Sequence, residues 1–339
     1  MCGIIGITSN KLVSSPIINS LKKLEYRGYD SAGIATIDSG YIKEVKCEGR
    51  VESLEDAVSK SKLTGNVGIG HVRWATHGIP NTINAHPHSS EYVSVVHNGI
   101  IENSTLLKKF LINKGHKFKS QTDTEVIVHL ITEYLKKDNL KDAIIKVLKK
   151  LHGSFALGII FKDNPNLIIG ARRGSPLAVG YGPGENYLGS DSYALKSMTN
   201  KISYLNDGEF CIIKKDNVEF FNQGGKKINK KILLLSSDEQ NYEKGDYKHF
   251  MAKEIAEQPS VLNNVLNAYL STDGEAVKMP ENLPDFSTVK RVTMVACGTA
   301  YYACLTAKYW FEKLARMPVE VDIASEFRYR EPPITAGTM

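Results

Sequence analysis

Hydrophobic and polar residues follow different spacings along the chain, and each spacing predicts a different element. Residues 2–7 enclose two isoleucines between glycines, which predicts a short buried strand that holds the start of the chain in place. Apolar residues at helical spacing follow in 15–24. There we expect Ser15 as the N-cap, Pro16 at the first helical position and Gly28 at the end of the helix.

Further helices and strands are predicted in blocks. Helical spacing of apolar residues recurs at 104–114, 123–136 and 140–151. Short apolar runs predict strands at 33–37, 41–47, 67–72, 92–96, 155–161, 167–171, 177–180, 187–189, 210–214 and 218–221. Strands followed by helices and then again by strands indicate layered sheets with helices on the outside.

Residues 224–246 are polar, lysine-rich and aperiodic, so we interpret them as a linker between two domains. The first domain would cover 2–223 and the second part 247–339. This second part opens with a helical pattern that we expect to be interrupted near Pro259. It continues with a strand at 291–296, a glycine turn, a helix at 301–314 and a strand at 319–323. One βαβ unit does not complete a sheet, so we expect the chain to stop inside a domain.

Composition excludes several classes of function. The net charge of +6 is spread over separate lysine pairs, without the basic and aromatic clustering that nucleic-acid surfaces show. We find no segment apolar enough to span a membrane, no secretory leader and no disulfide pattern among the five cysteines. His86 and His88 lack a third ligand at metal-site spacing, so we interpret them as hydrogen-bonding loop residues. We therefore expect a cytoplasmic protein without membrane or nucleic-acid partners, metal or organic cofactor.

Cys2 is the first candidate for chemistry. Removal of Met1 would leave Cys2 with a free α-amine beside its own thiol. An α-amine titrates near ~7.7–8 and a thiol near ~8.5, so the amine can take the thiol proton directly or through one water. The resulting thiolate would attack a carbonyl. The alternative is a cysteine that follows the start methionine by chance.

Polar side chains also collect directly after the strand predicted at 67–72. Arg73 offers a planar fork for a carboxylate, Trp74 a large cover, and Thr76 and His77 hydrogen-bonding groups. The alternative is a tryptophan packed in the core with the arginine as its exposed neighbour. An earlier run of polar, aromatic and glycine residues, 25–33, is denser than a turn requires and also favours a functional role.

Three residues further along have two interpretations each. Asn98-Gly99 is either a tight turn or a pair of donors, one side-chain amide and one backbone N–H, for a developing oxyanion. Asp123 is either a helix cap or a carboxylate that binds a substrate ammonium group. The sequence alone leaves both alternatives open.

Together these motifs resemble those of glutamine amidotransferases with an amino-terminal cysteine. The Cys-Gly-Ile opening and the Asn-Gly pair are common to that superfamily. Residues 25–33 (Glu-Tyr-Arg-Gly-Tyr-Asp-Ser-Ala-Gly) and 73–78 (Arg-Trp-Ala-Thr-His-Gly) resemble one family in it, the isomerizing glutamine–fructose-6-phosphate aminotransferases, and the resemblance runs from Cys2 to Met339. It implies an α+β fold class: a four-layer αββα N-terminal-nucleophile hydrolase (type 2 glutamine amidotransferase) domain, followed by the start of an α/β sugar isomerase (SIS) domain.

The resemblance also implies a role for each candidate residue in binding and hydrolysing L-glutamine. The residues are Cys2 as nucleophile, Asn98 and Gly99 as oxyanion hole, Arg73 for the α-carboxylate, Asp123 for the ammonium group, and Trp74, Thr76 and His77 in a loop that closes over the site.

A second substrate follows from the same resemblance. Full-length members of the family transfer the ammonia to D-fructose 6-phosphate, giving D-glucosamine 6-phosphate, without metal or cofactor. Gly298 and Thr299 match the first turn that contacts the phosphate, while Ala300 stands where many members have serine. The family's Ser-Gln-Ser-Gly-Glu motif is not reached. We therefore expect a C-terminally truncated chain that retains glutaminase activity only, and a homodimer for the full-length protein.

Two other functions compete with this one. A stand-alone glutaminase, or another synthase that uses ammonia, would not need the βαβ unit at 291–323. A non-catalytic sugar-phosphate sensor with the same fold would not need Cys2, Arg73, Asn98 and Asp123 together.

Overall fold

The computed structural model describes residues 2–235, 246–271, 274–279, 283 and 285–339. The chain divides into two compact units, Met1–Asp238 and Glu239–Met339. The predicted removal of Met1 and the part of the predicted linker at 236–245 lie outside the described residues. The assignment of domains at 2–223 and 247–339 stays a prediction.

The first unit contains two antiparallel sheets and helices that cover them. Its described helices are α1 (Ser14–Leu24), α2 (Val51–Ser61), α3 (Ser104–Asn113), α4 (Glu125–Leu135), α5 (Leu140–Lys150) and α6 (Ser192–Lys196). Its described strands are β1 (Gly3–Thr8), β2 (Ser31–Asp38), β3 (Tyr41–Glu48), β4 (Val67–Arg73), β5 (His88–Ser89), β6 (Val93–Ile101), β7 (Gly153–Phe161), β8 (Asn164–Arg173), β9 (Ala178–Gly182), β10 (Glu185–Gly189), β11 (Lys201–Tyr204), β12 (Phe210–Lys214), β13 (Val218–Phe221), β14 (Lys227–Ile228) and β15 (Leu233–Leu234).

The order of layers in the first unit is helices, sheet, sheet, helices. In the described part of the chain, the first sheet has the order β15-β11-β9-β10-β1-β4-β2-β3 and the second β14-β13-β12-β8-β7-β6-β5. One apolar cluster fills the space between the sheets. A second cluster joins α1, α2 and α6 to the first sheet, and a third joins α3, α4 and α5 to the second. This arrangement confirms the predicted four-layer αββα fold, since each sheet buries one face on its partner and the other under helices.

Strand β1 fixes the start of the chain in the middle of the first sheet, as the apolar pattern of residues 2–7 predicted. It pairs with β10 on one side and β4 on the other, with Gly3 opposite Val72. A Cβ on Gly3 would lie 2.8 Å from atoms of Leu24 and Val72, so only glycine fits here. Cys2 therefore lies directly before β1, next to the carboxyl end of the neighbouring strand β4.

Helix starts were predicted less well. Helix α1 begins at Ser14, and its N-cap is Val13, which makes no side-chain cap hydrogen bond. The prediction of Ser15 as the N-cap is therefore wrong. Pro16 is the third helical residue and not, as predicted, the first, but it still lies within the first turn, where its missing N–H has no helical partner to lose. Helix α1 ends at Leu24, before the predicted Gly28, which instead closes a 3-10 turn over Glu25–Arg27.

Some short elements escaped the pattern. Helix α2 was not predicted, because its buried residues are only Val51, Leu54 and Val58 among charged neighbours. Strands β14 and β15 lie in the predicted linker, yet they extend the edges of the two sheets. The first half of that segment is therefore part of the first unit.

The second unit contains a parallel βαβ element. Its described helices and strands are α7 (Phe250–Tyr269), β16 (Val292–Ala296), α8 (Gly298–Trp310), β17 (Val319–Ile323) and α9 (Ala324–Arg330). Strands β16 and β17 pair in parallel with α8 between them, which confirms the predicted βαβ unit. The interruption predicted near Pro259 is wrong, because α7 continues through this residue. The proline removes one N–H donor on an exposed helix, where Ile255 one turn earlier is also exposed.

No helix in the described part of the chain is both long and apolar enough to cross a membrane.

Candidate active site

A cleft in the first unit gathers nearly all the residues predicted to handle glutamine. The empty space at this cleft, including the part that is open to solvent, is about 260 Å³. It is lined by Cys2, Arg73, Trp74, Thr76, His77, His86, His97, Gly99, Thr122, Asp123 and Thr124. Asn98 is the one predicted glutamine-site residue outside this lining, but it hydrogen-bonds Cys2 directly.

Cys2 places its thiol against the backbone of Trp74. The Trp74 N–H donates to the sulfur at 3.2 Å, and the thiol donates to the Trp74 carbonyl oxygen at 3.4 Å. Burial raises the pKa of the Cys2 thiol above its ordinary value, while the Trp74 N–H and the Arg73 guanidinium partly oppose this. The thiol is therefore protonated at neutral pH, so its use as a nucleophile requires a nearby base.

Arg73 and Trp74 take opposite environments at the end of β4. Arg73 is only 3% exposed, and its guanidinium donates to the backbone carbonyls of His77, Gly78 and Ile79. Trp74 is 45% exposed and meets Tyr29 edge to face at 5.6 Å between ring centroids. The alternative of a buried tryptophan beside an exposed arginine is therefore wrong.

The run at 25–33 supports the loop that follows β4. The Asp30 carboxylate accepts a hydrogen bond from the Ala75 N–H at 2.7 Å, and the Asp30 N–H donates to the Arg73 carbonyl at 3.0 Å. A Cβ on Gly28 would lie 2.6 Å from the Arg73 carbonyl carbon, so glycine allows this close approach. The density of polar residues in this run was the only sequence signal for these contacts.

Asn98 and Gly99 lie within strand β6, so their interpretation as a tight turn is wrong. Gly99 has φ +129°, and a Cβ there would lie 2.0 Å from the Ser154 carbonyl oxygen. The Asn98 side-chain nitrogen donates to the Cys2 carbonyl oxygen at 3.0 Å. The Asn98 side-chain oxygen lies 3.0 Å from Nε2 of His71. Two sheets thus meet at Cys2, one carrying the thiol and the other the amide.

Asp123 is a buried carboxylate at the cleft, and it does not cap helix α4. Its Oδ2 accepts a hydrogen bond from the Ile101 N–H at 2.7 Å. The N-cap of α4 is Thr124, without a side-chain cap hydrogen bond, so the helix-cap interpretation of Asp123 is wrong.

Glu125 is a further residue that sequence reasoning missed. Its carboxylate accepts from the backbone N–H groups of Lys119 and Ser120, at 2.8 and 2.7 Å, and so fixes the turn before Asp123. Burial opposes ionisation, but hydrogen bonds from His129, Lys119 and Ser120 lower the pKa of Glu125 to about 2. Its position in the first turn of an apolar helix gave no hint of this role.

Four histidines are buried at the cleft: His71, His86, His88 and His97. Nε2 of His88 lies 3.0 Å from Oγ1 of Thr122, and Nδ1 of His86 accepts weakly from the His97 N–H at 3.4 Å. These contacts confirm His86 and His88 as hydrogen-bonding residues. Burial lowers the pKa of His71 and of His88 to about 3, so both are neutral at physiological pH.

Gly298 and Thr299 belong to the second unit. They form the exposed first turn of α8, directly after strand β16, and Gly298 has φ +58°. A helix N-terminus that follows a parallel strand presents free backbone N–H groups.

Comparisons with known proteins agree with this picture. Residues 75–197 match a family model described as a glutamine amidotransferase domain, and residues 285–339 match the SIS domain. Isomerizing glutamine–fructose-6-phosphate aminotransferases of Zymomonas mobilis and Mesorhizobium japonicum are 49% and 50% identical to the chain over 99% of its length. The chain is therefore similar to these two aminotransferases along nearly all of its own length. It spans 56% of the length of these two relatives.

Solved structures support the fold. A glutamine phosphoribosylpyrophosphate amidotransferase from B. subtilis, in complex with ADP and GMP, aligns with a TM-score of 0.58 and 24% identity, covering 94% of this chain and 65% of its own. A structure described as the allosteric regulatory enzyme of purine biosynthesis aligns with a TM-score of 0.59 and 22% identity, covering 95% and 80%. At this identity the likeness concerns the fold alone, and it agrees with the four-layer αββα architecture.

Proposed function

We propose that the chain hydrolyses L-glutamine through a thioester on Cys2. In the full-length protein the ammonia would convert D-fructose 6-phosphate to D-glucosamine 6-phosphate. The observation that carries this proposal is that the Asn98 amide binds the backbone carbonyl of Cys2, whose residue lines a cleft together with Arg73 and Asp123. The names of the relatives supply the second substrate.

The chemistry begins with the thiol proton. After loss of Met1, the α-amine of Cys2 accepts this proton, and the sulfur forms a bond to the side-chain carbonyl carbon of glutamine. The carbonyl π-electrons move to oxygen, and the oxyanion is stabilised by the Asn98 amide and the Gly99 N–H. The Asn98 nitrogen carries two N–H groups, so a donor is left for the oxyanion beside the one that binds the Cys2 carbonyl.

Ammonia then leaves with the proton returned by the amine. The amine then takes a proton from water as the water oxygen attacks the thioester carbon, the C–S bond breaks, the sulfur takes this proton back, and glutamate is released. Glutamine and water thus give glutamate and ammonia, and the balance needs no oxidant, metal or cofactor.

The substrate would be positioned by charge at both ends of its amino-acid group. Arg73 would bind the α-carboxylate and Asp123 the ammonium group, since both are buried and line the cleft. The loop with Trp74, Thr76 and His77 would close over the bound glutamine. Exclusion of water strengthens these ion pairs and protects the thioester.

The sugar-phosphate site would begin in the second unit. We propose that Gly298 and Thr299 contribute backbone N–H groups and a hydroxyl to the phosphate. The full-length protein would be a cytoplasmic homodimer, and the 339-residue chain would retain the glutaminase reaction.

The test is glutamate release by the purified 339-residue chain. We expect wild-type protein to release glutamate, Cys2→Ala to release none, and a glutamine-analogue electrophile to modify Cys2 stoichiometrically. Intact-mass spectrometry reports whether Met1 is removed. A non-catalytic sensor would instead keep Met1, leave Cys2 unmodified and bind sugar phosphate without releasing glutamate.

A further inference from the structure

We propose that His71 is a positioning residue for the oxyanion hole, because its Nε2–H holds the Asn98 side chain with the amide nitrogen facing Cys2. This inference rests on the proposed function, in which Asn98 stabilises the oxyanion.

His71 connects the two sheets at the active site. It lies on β4 opposite Ile4 of β1, in the sheet that carries Cys2. Its imidazole reaches strand β6 of the other sheet, where Nε2 lies 3.0 Å from Oδ1 of Asn98 and 3.1 Å from the carbonyl oxygen of His97. The side chain is fully buried. The His71 imidazole therefore holds the Asn98 amide in a fixed position relative to the backbone of β6 and to Cys2.

Chemistry of the partners fixes the proton on His71. A backbone carbonyl oxygen only accepts hydrogen bonds, so the His97 carbonyl requires that Nε2 of His71 carries the hydrogen. The same N–H then faces the Asn98 amide, and only the amide oxygen can accept it. A reversed amide would place its nitrogen against this N–H and its oxygen against the Cys2 carbonyl oxygen, which gives two repulsive contacts. One histidine tautomer thus allows one orientation of Asn98.

The other imidazole nitrogen keeps His71 neutral. Nδ1 is buried and, within the described residues, has no hydrogen-bond partner. Protonating it would bury an unpaired N–H beside the His86 ring, which lies 4.2 Å away between centroids. Burial accordingly lowers the pKa of His71 to about 3. His71 is therefore a constant donor across the range in which the reaction would run.

Loss of this donor has a specific kinetic consequence. The terminal torsion of an asparagine is broad and roughly two-fold, so without His71 the amide can rotate and present its oxygen to the site. The oxyanion exists only after attack on the carbonyl, so the effect falls on kcat and hardly on KM.

The first experiment is a double-mutant cycle on glutamate release. We expect Asn98→Ala to lower kcat by about 10²–10³-fold and His71→Leu by about 10–100-fold, with KM changed less than about 3-fold. The double variant should be no slower than Asn98→Ala alone, because both changes remove the same donor. His71→Gln, which keeps a side-chain N–H, should restore much of the lost rate. His116→Leu, which removes an imidazole bonded to Glu133 away from the cleft, is the matched control and should retain the wild-type kcat.

A second readout separates positioning from general damage. Alkylation of Cys2 by iodoacetamide is a displacement without an oxyanion, so His71→Leu should leave its rate within about 3-fold of wild type. Equal losses in alkylation and in glutamate release, or multiplicative losses in the double variant, would overturn the proposal.

A third experiment is nitrogen NMR of wild-type protein labelled at histidine, which does not depend on the folding of any variant. We expect the shifts of His71 to show a protonated Nε2 and a bare Nδ1 from pH 5 to 9, and a protonated Nδ1 would overturn the proposal. If wild-type protein releases no glutamate, the proposed function fails by itself. The NMR result then decides alone whether His71 orients Asn98.

Discussion

Replacing Gly99 with alanine would perturb the proposed oxyanion hole at a position where two independent structural costs combine. The backbone at Gly99 has φ +129°, which an alanine adopts only under strain. An added Cβ would also lie 2.0 Å from the Ser154 carbonyl oxygen and 3.0 Å from Cα of Phe155, both backbone atoms of the neighbouring strand β7. Backbone atoms in a paired strand cannot swing aside, so β6 and β7 must move apart.

The magnitude follows from the two terms. A residue other than glycine at this positive φ costs about 1–3 kcal/mol, and overpacking adds about 1–3 kcal/mol. We therefore expect the free energy of unfolding to fall by roughly 2–6 kcal/mol. Displacing the Gly99 N–H from the oxyanion should lower kcat for glutamate release by about 10²-fold or more. Urea unfolding of the first unit can be followed by the reactivity of Cys211, which is fully buried in β12.

A matched control separates the cost of the positive φ from the cost of the steric clash of the added Cβ. Gly115 has φ +89° and nothing within 4 Å of its added Cβ. Gly115→Ala should therefore lose only about 1–2 kcal/mol and keep its kcat. At an m-value of roughly 1–3 kcal/mol per M, Gly99→Ala should move the urea midpoint down by about 1 M or more. Equal midpoints for the two variants, or a wild-type kcat in Gly99→Ala, would refute the reasoning.

Three further predictions concern the groups around the cleft. Because burial raises the pKa of the Cys2 thiol, its alkylation rate should still increase with pH beyond the pKa of free cysteine; a plateau at neutral pH in a rate–pH profile would contradict this. Asp30→Ala removes the acceptor for the Ala75 N–H and should raise KM for glutamine several-fold in steady-state assays, while Asp30→Asn, which keeps an oxygen, should stay near wild type. The folded-state pKa of Glu125 is lowered to about 2, so its contribution to stability is present above its unfolded pKa and is lost as pH falls toward 2. Glu125→Gln should therefore flatten the pH dependence of the unfolding free energy between about pH 5 and 2, and an unchanged slope would argue against this role.

Much of the fold could be predicted because strong periodicity is local. The buried strand at residues 2–7 and the three helices between 104 and 151 each carry their own apolar pattern. Helix α2 buries only three apolar residues, and the edge strands β14 and β15 are only two residues long, so none of them shows such a pattern. Their formation depends on the surfaces that they cover or extend, which become available only when the sheets have formed.

The amino-acid sequence by itself determined which residues are candidates for chemistry: a cysteine at position 2, the Arg-Trp-Ala-Thr-His-Gly run after a strand, and an Asn-Gly pair. Only the tertiary structure decided how they are used. It buried Arg73 and exposed Trp74, engaged Asp123 with the Ile101 backbone, and brought Asn98 to a cysteine 96 positions away. The physical reason is that a side-chain hydrogen bond between two packed sheets depends on the distance between those sheets. That distance is set by the whole core, and no local pattern of residues contains it.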